Sequence, residues 1–429
     1  MSHAHFGNHH AATTAPVRIS MEALEARTLL TGAWHDLAEY QYSPGQYAGF
    51  TSMAEDASNH LYAAGNARDA SGLYHAVILK VDLATGAWQL ADDLFIPGMS
   101  TGFTDITIDS SGRMFAVGFT QASTPGNYRW IAQRSTDDGQ SWQTVDDFIY
   151  SPTRITEAHT VATDAAGNIY VGGLGYEVIQ SGKTTTVVRH ALIRKSTDGG
   201  NTWATLDTAS GSDADLTDLM QTPSGLYAVG RLNGYWTVRR STNQGATWTS
   251  LDQFHLSKSG TAIANGITTD PSGVLYVAGS SDARWIVRKS TNGGLSWTTV
   301  DNFQLATSSQ QFGSDAQKVV ADAAGNVFVV GAGSTNLSQN YHFLLRGSSN
   351  GGASWQTLDD VAPTPASGGL RTANILLDSA GRLFTCGRIP LTDGSGAAAI
   401  RTQLIFSAST SISSTEGDVL ALANEPLFG

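Results

Sequence analysis

Short apolar stretches separated by glycine-containing turns follow one another along most of the chain. In a typical unit, apolar residues 106–108 lead into an Asp-x-x-Gly turn at residues 109–112, and a second apolar stretch follows at residues 114–117. Asp accepts hydrogen bonds from the backbone just after it, and Gly tolerates positive φ, so this spacing predicts a tight turn between two strands. Residues 130–134 and 142–146 add two more predicted strands, and no stretch has helical periodicity.

This four-strand unit recurs at intervals of roughly 54 residues. Copies of the turn begin at Asp56, Asp109, Asp164, Thr222, Asp270, Asp322 and Asp378. Repeats of four short strands are typical of propeller blades. The sequence therefore predicts an all-β fold, a seven-bladed β-propeller with four antiparallel strands in each blade.

The last unit has no fourth strand after it, and the N-terminal region offers a replacement. Residues 34–40 show the same order of Trp, aliphatic, acidic and aromatic residues as residues 142–148. We expect an N-terminal strand at residues 34–38 to close the ring, which removes an open sheet edge. The expected organisation is a disordered leader over residues 1–32, a propeller over 33–407 and a C-terminal tail over 408–429.

A second motif, Ser-x-Asp/Asn-x-Gly-x-Ser/Thr-Trp, precedes the fourth strand of five units. Its Asp or Asn and its Trp are Asp137 and Trp142, Asp198 and Trp203, Asn243 and Trp248, Asn292 and Trp297, and Asn350 and Trp355. The motif resembles the Asp-box, or BNR repeat, of sialidase-like propellers, sortilin-type receptors and some xyloglucan-cleaving glycosidases. That resemblance implies a turn-stabilising role for these ten residues, on the side of the ring away from the usual active sites.

The resemblance to sialidases also implies catalytic residues, and this sequence departs from that pattern. Sialidases bind a carboxylate with three arginines, use a Tyr nucleophile with a Glu partner, and have six blades and an Arg-Ile-Pro motif before the first Asp-box. Here Arg388-Ile389-Pro390 follows the last Asp-box, and no residues match the Tyr/Glu pair. Arg231 and Arg388 occupy matching positions after their second strands, so an arginine cluster stays open.

Polar residues stand four positions before most of the Asp-x-x-Gly turns. They are Ser52, Asp105, Thr160, Asp218, Lys318 and Asn374, and Gly266 is the exception. We expect them to surround one mouth of the central channel. Asp105 and Asp218 form the best carboxylate pair for acid–base catalysis. The alternative is structural, because polar residues also line wet channels that have no catalytic role.

Loops between second and third strands, and between blades, should share the face opposite the turns. They vary in length, as a binding face does. The binding candidates are Tyr128, Glu177, His190, Arg231, Tyr235, Lys318, His342 and Arg388. The leading hypothesis is a non-catalytic propeller that binds a glycan or protein partner through this face. An Asp-box glycoside hydrolase, a sialidase-like exo-glycosidase, is the alternative.

Two further patterns recur at fixed register and favour structural roles. Trp130, Trp236 and Trp285 occupy one position in their units, which predicts packing between blades rather than ligand contact. An Asp four residues after the box Trp and an Arg two residues before the box Ser also recur, as at Asp146 and Arg194. We interpret them as surface charge pairs within one outer hairpin, each worth under about 1 kcal/mol if exposed.

Composition excludes several partners. The net charge is −12 and only 14% of residues are charged, without the basic stripe that nucleic-acid binding requires. No apolar run reaches the roughly 18 residues of a membrane span. The single cysteine, Cys386, excludes an intramolecular disulfide and is expected to be buried. No cofactor or metal motif occurs, so we expect neither, and we expect a monomer.

The predicted leader contains His3, His5, His9 and His10, which could bind metal or simply be solvated. It has no hydrophobic core of a secretory signal. Residues 24–30, Leu-Glu-Ala-Arg-Thr-Leu-Leu, are similar to a tag at the start of exported proteins in some bacteria. That resemblance implies an extracytoplasmic location, secreted or at the cell surface.

Overall fold

The computed structural model describes residues 30–31, 35–121, 128–151, 155–257, 260–306, 313–335, 341–362, 371–378, 380–390 and 396–406. Within them the regular elements are β-strands that pair antiparallel, so the all-β class and the four-stranded antiparallel blade are confirmed. The predicted leader, with its histidines and its tag, and the predicted tail lie outside the described residues, apart from Leu30–Thr31. None of the described residues forms a helix that could cross a membrane.

Six blades each contain four consecutive strands. Blade 1 has β3 (Ala48–Glu55), β4 (His60–Arg68), β5 (Tyr74–Asp82) and β6 (Trp88–Leu94); blade 2 has β7 (Ser100–Ile108), β8 (Met114–Gln121), β9 (Tyr128–Ser135) and β10 (Gln143–Phe148). Blade 3 has β11 (Thr156–Thr163), β12 (Ile169–Ser181), β13 (Thr184–Ser196) and β14 (Ala204–Gly211); blade 4 has β15 (Asp215–Thr222), β16 (Gly225–Leu232), β17 (Tyr235–Ser241) and β18 (Thr249–Phe254). Blade 5 has β19 (Ala262–Thr269), β20 (Leu275–Ser281), β21 (Arg284–Ser290) and β22 (Thr298–Phe303); blade 6 has β23 (Ser314–Ala321), β24 (Val327–Ser334), β25 (Tyr341–Ser348) and β26 (Gln356–Val361).

The propeller has six four-stranded blades, so the prediction of seven such blades is wrong. The last repeat forms a five-stranded sheet, which we call the terminal sheet: β1 (Leu30–Thr31), β2 (His35–Tyr40), β27 (Arg371–Leu377), β28 (Arg382–Pro390) and β29 (Gly396–Phe406). The repeat lacks a fourth strand of its own, and β29 is long enough to pair with β28 and with both β1 and β2. Counting turns in the sequence could not reveal this different sheet.

The first strand of each sheet is the innermost, and first strands of adjacent sheets contact one another, including β27 with β3. The apolar core lies between adjacent sheets. Trp130, Trp236 and Trp285 have no exposed surface, which confirms their predicted role in packing. Each packs edge-on against an aromatic ring of its own fourth strand, with ring centroids 6.1–6.4 Å apart. Cys386 is also buried, which raises the pKa of its thiol.

The repeated Asp–Arg pairs are not surface pairs within one hairpin. The Arg194 guanidinium donates two hydrogen bonds, of 2.8 and 2.9 Å, to Asp146 of the preceding blade, and both side chains are buried. The same arrangement joins Asp252 to Arg288 and Asp301 to Arg346. A bulge in each fourth strand turns the carboxylate toward the next blade. These ion pairs therefore hold adjacent blades together.

Candidate functional site

The strand directions divide the molecule into two faces. The first strand of a blade leads into the Asp-x-x-Gly turn, and the third leads into the Ser-x-Asp/Asn-x-Gly-x-Ser/Thr-Trp motif, which we call the Trp-terminated turn. Both kinds of turn therefore lie on one side, which we call the turn face. The loops between second and third strands, and those between sheets, lie on the opposite side, the loop face. The central channel, surrounded by the first strands, runs from one face to the other.

On the turn face, the five Trp-terminated turns share one hydrogen-bond pattern. The Asp137 carboxylate accepts a bond of 2.8 Å from the Ser135 hydroxyl, and bonds of 2.9 and 2.5 Å from the backbone and hydroxyl of Ser141. These bonds, those from Ser141 above all, lower the pKa of Asp137 to about 2. Where the motif has Asn, as at Asn243, Oδ1 accepts the backbone bond and the amide donates to Thr247.

The same turns also contact the preceding blade. The Asp138 carbonyl accepts hydrogen bonds from Tyr62 (3.1 Å) and Lys80 (3.3 Å), both in blade 1. The Gly351 carbonyl accepts a bond of 2.6 Å from Lys289 of blade 5. These turn carbonyls and the turn side chains are paired within the protein. The turn face is thus built for contact between blades.

In the channel, each first strand carries a bulge, and the bulged residue often bonds to the next sheet. Acceptors are carbonyls of the following blade, at 2.6–3.0 Å. The donors are Thr51, Thr104, His159, Thr217 and Asn265. A bulge re-aims the side chain of the extra residue, and here it directs that side chain toward the following sheet.

The residue after each bulge is the polar residue singled out in the sequence, and the structure brings these residues together as a channel ring. Ser52 donates a bond of 2.6 Å to Asp105 and accepts one of 2.9 Å from Asn374. Thr160 donates to Asp218 at 3.2 Å, and Lys318 lies 2.9 Å from the same carboxylate. The ring stands inside the channel rather than at a mouth. The inner strands begin earlier than their apolar stretches indicate, so that Asp105 lies well within β7.

The two carboxylates of the channel ring also accept backbone hydrogen bonds. Asp105 accepts the Val161 N–H at 2.8 Å, and Asp218 accepts the Ile267 N–H at 3.0 Å. Burial raises the pKa of Asp105, Asp218 raises it further, and Lys318 opposes the rise. Burial alone would lower the pKa of Lys318, but the attraction of Asp218 and Asp105 outweighs it and the pKa is raised. Lys318 therefore stays positively charged and partly neutralises the ring.

Gly266, the exception in the sequence pattern, has a steric explanation. A Cβ at this position would lie 2.9 Å from the Gln317 carbonyl oxygen and 3.1 Å from Cα and Cδ of Lys318. The missing side chain leaves room for the Lys318 side chain to reach Asp218, which belongs to the blade before Gly266. Glycine is thus part of the ring's geometry.

The other predicted binding residues are distributed over several sheets and paired with different neighbours. Glu177 and His190 come together at 3.1 Å, and Arg231 pairs with Asp213 at 3.2 Å. The remaining contacts are Tyr128 with Phe119 (5.4 Å between ring centroids), Tyr235 with His255 (4.6 Å), His342 with Asp360 (2.6 Å) and Arg388 over Tyr47 (5.0 Å). Arg231 and Arg388 have no neighbour in common among these contacts.

Sequence reasoning missed a cluster around His159. Its Nδ1 lies 3.1 Å from Asp215 and its Nε2 3.5 Å from Glu157, while Arg189 lies 3.5 Å from Asp215. Burial would lower the pKa of His159, but hydrogen bonds to Asp215 and Glu157 outweigh it and raise the pKa to about 10. The available signal was a polar residue directly before the channel-ring position, where blades 1, 2 and 4 have Thr, blade 5 has Asn and blade 6 has Gln.

Asp315 was missed as well. It is the second residue of β23, at the end of the strand near the loop face, and it accepts a hydrogen bond of 2.8 Å from the Asn265 amide. Burial raises its pKa to about 6, against the effect of hydrogen bonds from Ser280 and Asn265. This carboxyl group therefore holds its proton closer to neutrality than an ordinary Asp does. Across the described residues, no group of three or more His, Cys, Asp or Glu side chains could hold a metal ion.

Comparisons with known proteins inform the fold only. No protein-family model matches the sequence, and a search of curated proteins finds no match. YCF48 from Cyanidioschyzon merolae is similar over 87% of this chain and 99% of that chain, with 13% identity and a TM-score of 0.50. A protein of unknown function from Dyadobacter fermentans has 11% identity and a TM-score of 0.44, over 87% of this chain and 99% of that chain. The K499G mutant of the NanB sialidase from Streptococcus pneumoniae also has 11% identity and a TM-score of 0.44, over 92% of this chain and 72% of that chain. Scores below 0.5 carry no argument about function.

Proposed function

We propose that this protein is a non-catalytic, extracytoplasmic propeller that binds a glycan or a protein partner through its loop face. The observation that carries the proposal is the contrast between the two faces. The turn face repeats the same hydrogen-bonded turns and uses them between blades. The loop face differs from blade to blade in length and in side chains. Variable loops on a rigid scaffold are the usual position of binding residues.

The hairpin of blade 3 is the largest of these differences. Its strands β12 and β13 have 13 residues each, whereas β16 and β17 of blade 4 have 8 and 7. Residues 176–188 extend beyond the parts of the hairpin that pair with β11 and β14. Ile179 and Val187 on this extension are each 44% exposed. An extended hairpin with exposed apolar residues supports contact with a partner.

The geometry of the channel ring favours a structural role for its carboxylates over a catalytic one. Asp105 and Asp218 both accept backbone N–H groups from a neighbouring blade, and Lys318 lies against Asp218. A general base must be able to approach the proton that it removes. Carboxylates fixed by these bonds are better suited to joining blades, so we assign Asp105 and Asp218 a structural role within this proposal.

Two parts of the proposal rest on resemblance. The extracytoplasmic location depends on residues 24–30, and the hydrogen-bond pattern of the five Trp-terminated turns supports their assignment as Asp-boxes. Fractionation of cells that express the full chain, with Arg27→Ala in the tag, tests the location. We expect the unchanged chain outside the cytoplasm and the variant within it.

A glycan array and a protein-ligand screen test the binding role. We expect a saturable ligand whose binding is weakened by Tyr235→Ala on the loop face, where the ring is 39% exposed. The matched control is Leu295→Ala, which removes a 73% exposed side chain from a Trp-terminated turn and should leave binding unchanged. Equal losses in both variants, or no saturable ligand at all, would contradict the proposal.

A glycoside hydrolase is the second candidate, and Asp315 is the observation that favours it. A carboxyl group whose pKa is raised to about 6 can donate a proton near neutral pH, as glycosidase acids do. Turnover of aryl-glycosides and sialosides, abolished by Asp315→Asn or by Asp218→Asn, would establish this activity and replace the binding proposal. Absence of turnover across the panel leaves binding as the function.

A further inference from the structure

The blade 3 hairpin continues on the loop face as a two-stranded ribbon, residues 177–188. The outermost pair of β12 with β11 is at Gly175, and the outermost pair of β13 with β14 is at Arg189. Beyond these points β12 and β13 pair with each other as far as Ser181 and Thr184. The hairpins of blades 4 and 5 pass their flanking strands by one pair at most. Among the described residues, neither edge of the ribbon has a neighbouring strand.

Side-chain contacts fix the base of the ribbon. The Glu177 carboxylate lies 3.1 Å from His190, whose ring is 4.8 Å from the ring of Tyr150. The Arg189 guanidinium lies over the ring of Tyr176, 5.2 Å from its centroid. These contacts join the start of the ribbon to the buried part of the hairpin and to the chain before blade 3. The edges of the ribbon are therefore held in a defined direction relative to the propeller.

The loop of the ribbon determines which of its backbone groups are free. Gly182, with a φ of 60°, and Lys183 form a two-residue loop between the strands. The residues that flank such a loop bond to each other, and the direction of hydrogen bonding then alternates along each strand. The backbone N–H and C=O groups of Thr185 and Val187 therefore point away from β12. No described residue forms a hydrogen bond with them.

Residues 184–188, which we call the outer edge, lack the features that usually protect an exposed edge strand. Their sequence is Thr-Thr-Thr-Val-Val, in which every residue is β-branched and has a high strand propensity. The outer edge contains no charged residue, no proline and no bulge, which are the features that prevent edge strands from pairing. Val187 within it is 44% exposed. Such an edge is suited to pairing with a further strand.

The charges at the two ends of the outer edge indicate which strand it would accept. Lys183 precedes it, without an ionic partner among the described residues, and Arg189 follows it. Antiparallel pairing of two copies of this chain through residues 184–188 would bring Lys183 of one copy opposite Arg189 of the other. Like charges opposite each other destabilise a sheet, and each copy also has a net charge of −12. A segment of a different protein that ends in an acidic residue has neither disadvantage.

We propose that the outer edge binds an extended segment of a protein partner, which adds an antiparallel third strand to the ribbon. The free backbone groups of Thr185 and Val187 bond to this segment, and an acidic residue at its C-terminal end lies beside Lys183. Such a strand would continue the line of β14, which pairs with the lower part of β13 in the same direction. This inference rests on the proposed loop-face binding and names the class of partner for one part of that face.

Peptides test this mode of binding directly. The probe is the fluorescein-labelled peptide amide Thr-Val-Thr-Val-Thr-Glu, whose fluorescence anisotropy is measured as the full chain is added. Two control peptides each have two N-methyl groups, either on alternate amides, which blocks one edge of the peptide, or on adjacent amides, which blocks both edges. We expect the probe and the alternately methylated peptide to bind saturably. The peptide with adjacent methyl groups should bind at least about tenfold more weakly.

A matched pair of proline variants locates the binding. Val187→Pro removes a free N–H from the outer edge and should weaken binding of the probe by about tenfold or more. Val178→Pro is the control, because Val178 is the cross-strand partner of Val187 and its free N–H lies on the opposite edge. This variant should bind the probe as the unchanged protein does.

A charge variant tests the outer edge without altering the backbone. Lys183→Gln should weaken binding of the probe by roughly twofold to fivefold, and the difference should shrink as salt is added. Thermal melting of each variant checks that the propeller folds. Lys183→Gln keeps the test valid if proline distorts the ribbon.

The outcomes separate this inference from the general proposal. Equal affinity for the two methylated peptides, equal losses in the two proline variants, or no saturable binding of the probe overturns it. Dimerisation of the full chain that Val187→Pro abolishes also overturns it, because a second copy is then the occupant. A loop-face ligand whose binding is independent of Val187 and Lys183 leaves the proposed function in place and removes only the pairing at the outer edge. Failure of every glycan, protein ligand and peptide to bind removes both.

Discussion

At the scale of single residues, the interfaces between sheets form a natural mutation series. Asp146 and Arg194 pair between blades 2 and 3. Strand register places Asp92 and Gln133 at the equivalent positions between blades 1 and 2. The corresponding position of β2 is Ala38, which packs in one apolar cluster with Leu79. Equivalent positions of one fold therefore contain an ion pair (Asp–Arg), a carboxyl group facing an amide (Asp–Gln, the half-charged interface) and two apolar side chains (Ala–Leu). Comparing them shows what each contributes.

The half-charged interface should make stability depend on pH. Asp92 Oδ2 and Gln133 Oε1 are buried acceptors without partners, and burial raises the pKa of Asp92 to about 7. Between about pH 4 and pH 7 the unfolded chain has lost this proton while the folded chain keeps it, so stability falls as the pH rises through that window. We expect Asp92→Asn to have a free energy of unfolding roughly 2–4 kcal/mol higher than that of the unchanged protein at pH 8, with a smaller difference at pH 4. Urea unfolding between these pH values measures it.

The charged interface provides the matched control for Asp92. Arg194→Gln converts the pair with Asp146 into the Asp–Gln arrangement, and should create a similar loss of stability as the pH rises. Gln133→Arg should remove the loss at Asp92. If the stability of Asp92→Asn relative to the unchanged protein is the same at pH 4 and pH 8, the carboxyl group does not titrate in this range.

Removal of one member of a buried ion pair should cost more than removal of both. Arg346→Met leaves Asp301 buried and uncompensated, and should lower the free energy of unfolding by about 3–5 kcal/mol. Adding Asp301→Leu should recover most of that loss, because the Ala38 and Leu79 interface shows that this position accepts apolar side chains. A double-mutant cycle in urea measures both values, and additive losses would contradict the argument.

At the scale of elements, the bulged first strands explain why some features were predictable and others were not. Turns at Asp109 and Asp137 depend on side chains that bond to their own backbone, so local sequence identifies them. The channel-ring positions also repeat, and the sequence found them with Gly266 as an exception. The bulge is marked locally only by a polar residue directly before most channel-ring positions, and that residue does not indicate which partner it reaches. For this reason the contact of His159 with Asp215, 56 positions later, was missed.

The channel ring should depend on its single cation. Lys318→Met removes the ammonium group beside Asp218 and leaves two buried carboxylates, so we expect a loss of roughly 2–4 kcal/mol at pH 7. The loss should be smaller at pH 5, because Asp105, with its raised pKa, is protonated more readily without the cation. Urea unfolding at both pH values measures the effect. Addition of Asp218→Asn should restore stability at pH 7, and a loss that persists in this double variant would assign Lys318 a packing role instead.

At the scale of the whole molecule, the ends of the chain determine how the ring closes. The repeated turns correctly predicted four-stranded blades. Counting the turns gave seven such blades, because the last repeat has the same turn as the others although it forms a different sheet. The terminal sheet instead joins β2 and β1 to β29, which is 11 residues long. Pairing over such a sequence separation depends on the whole fold, and a local pattern cannot specify how many segments one strand edge accepts. The first sheet to be lost should therefore be the one that depends on both ends.

Deletion of residues 1–40 tests this dependence, with deletion of residues 1–29 as the control. The longer deletion removes β1 and β2, exposes the edge of β29, and removes the apolar contacts of Leu37, Ala38 and Tyr40. We expect a loss of about 3 kcal/mol or more from that apolar surface, and self-association through the open edge. Thermal melting and light scattering after size exclusion measure the two effects. Because the shorter deletion leaves both strands in place, it should melt as the full chain does and stay monomeric, and equal behaviour of the two deletions would mean that β29 needs no strand from the N-terminal region.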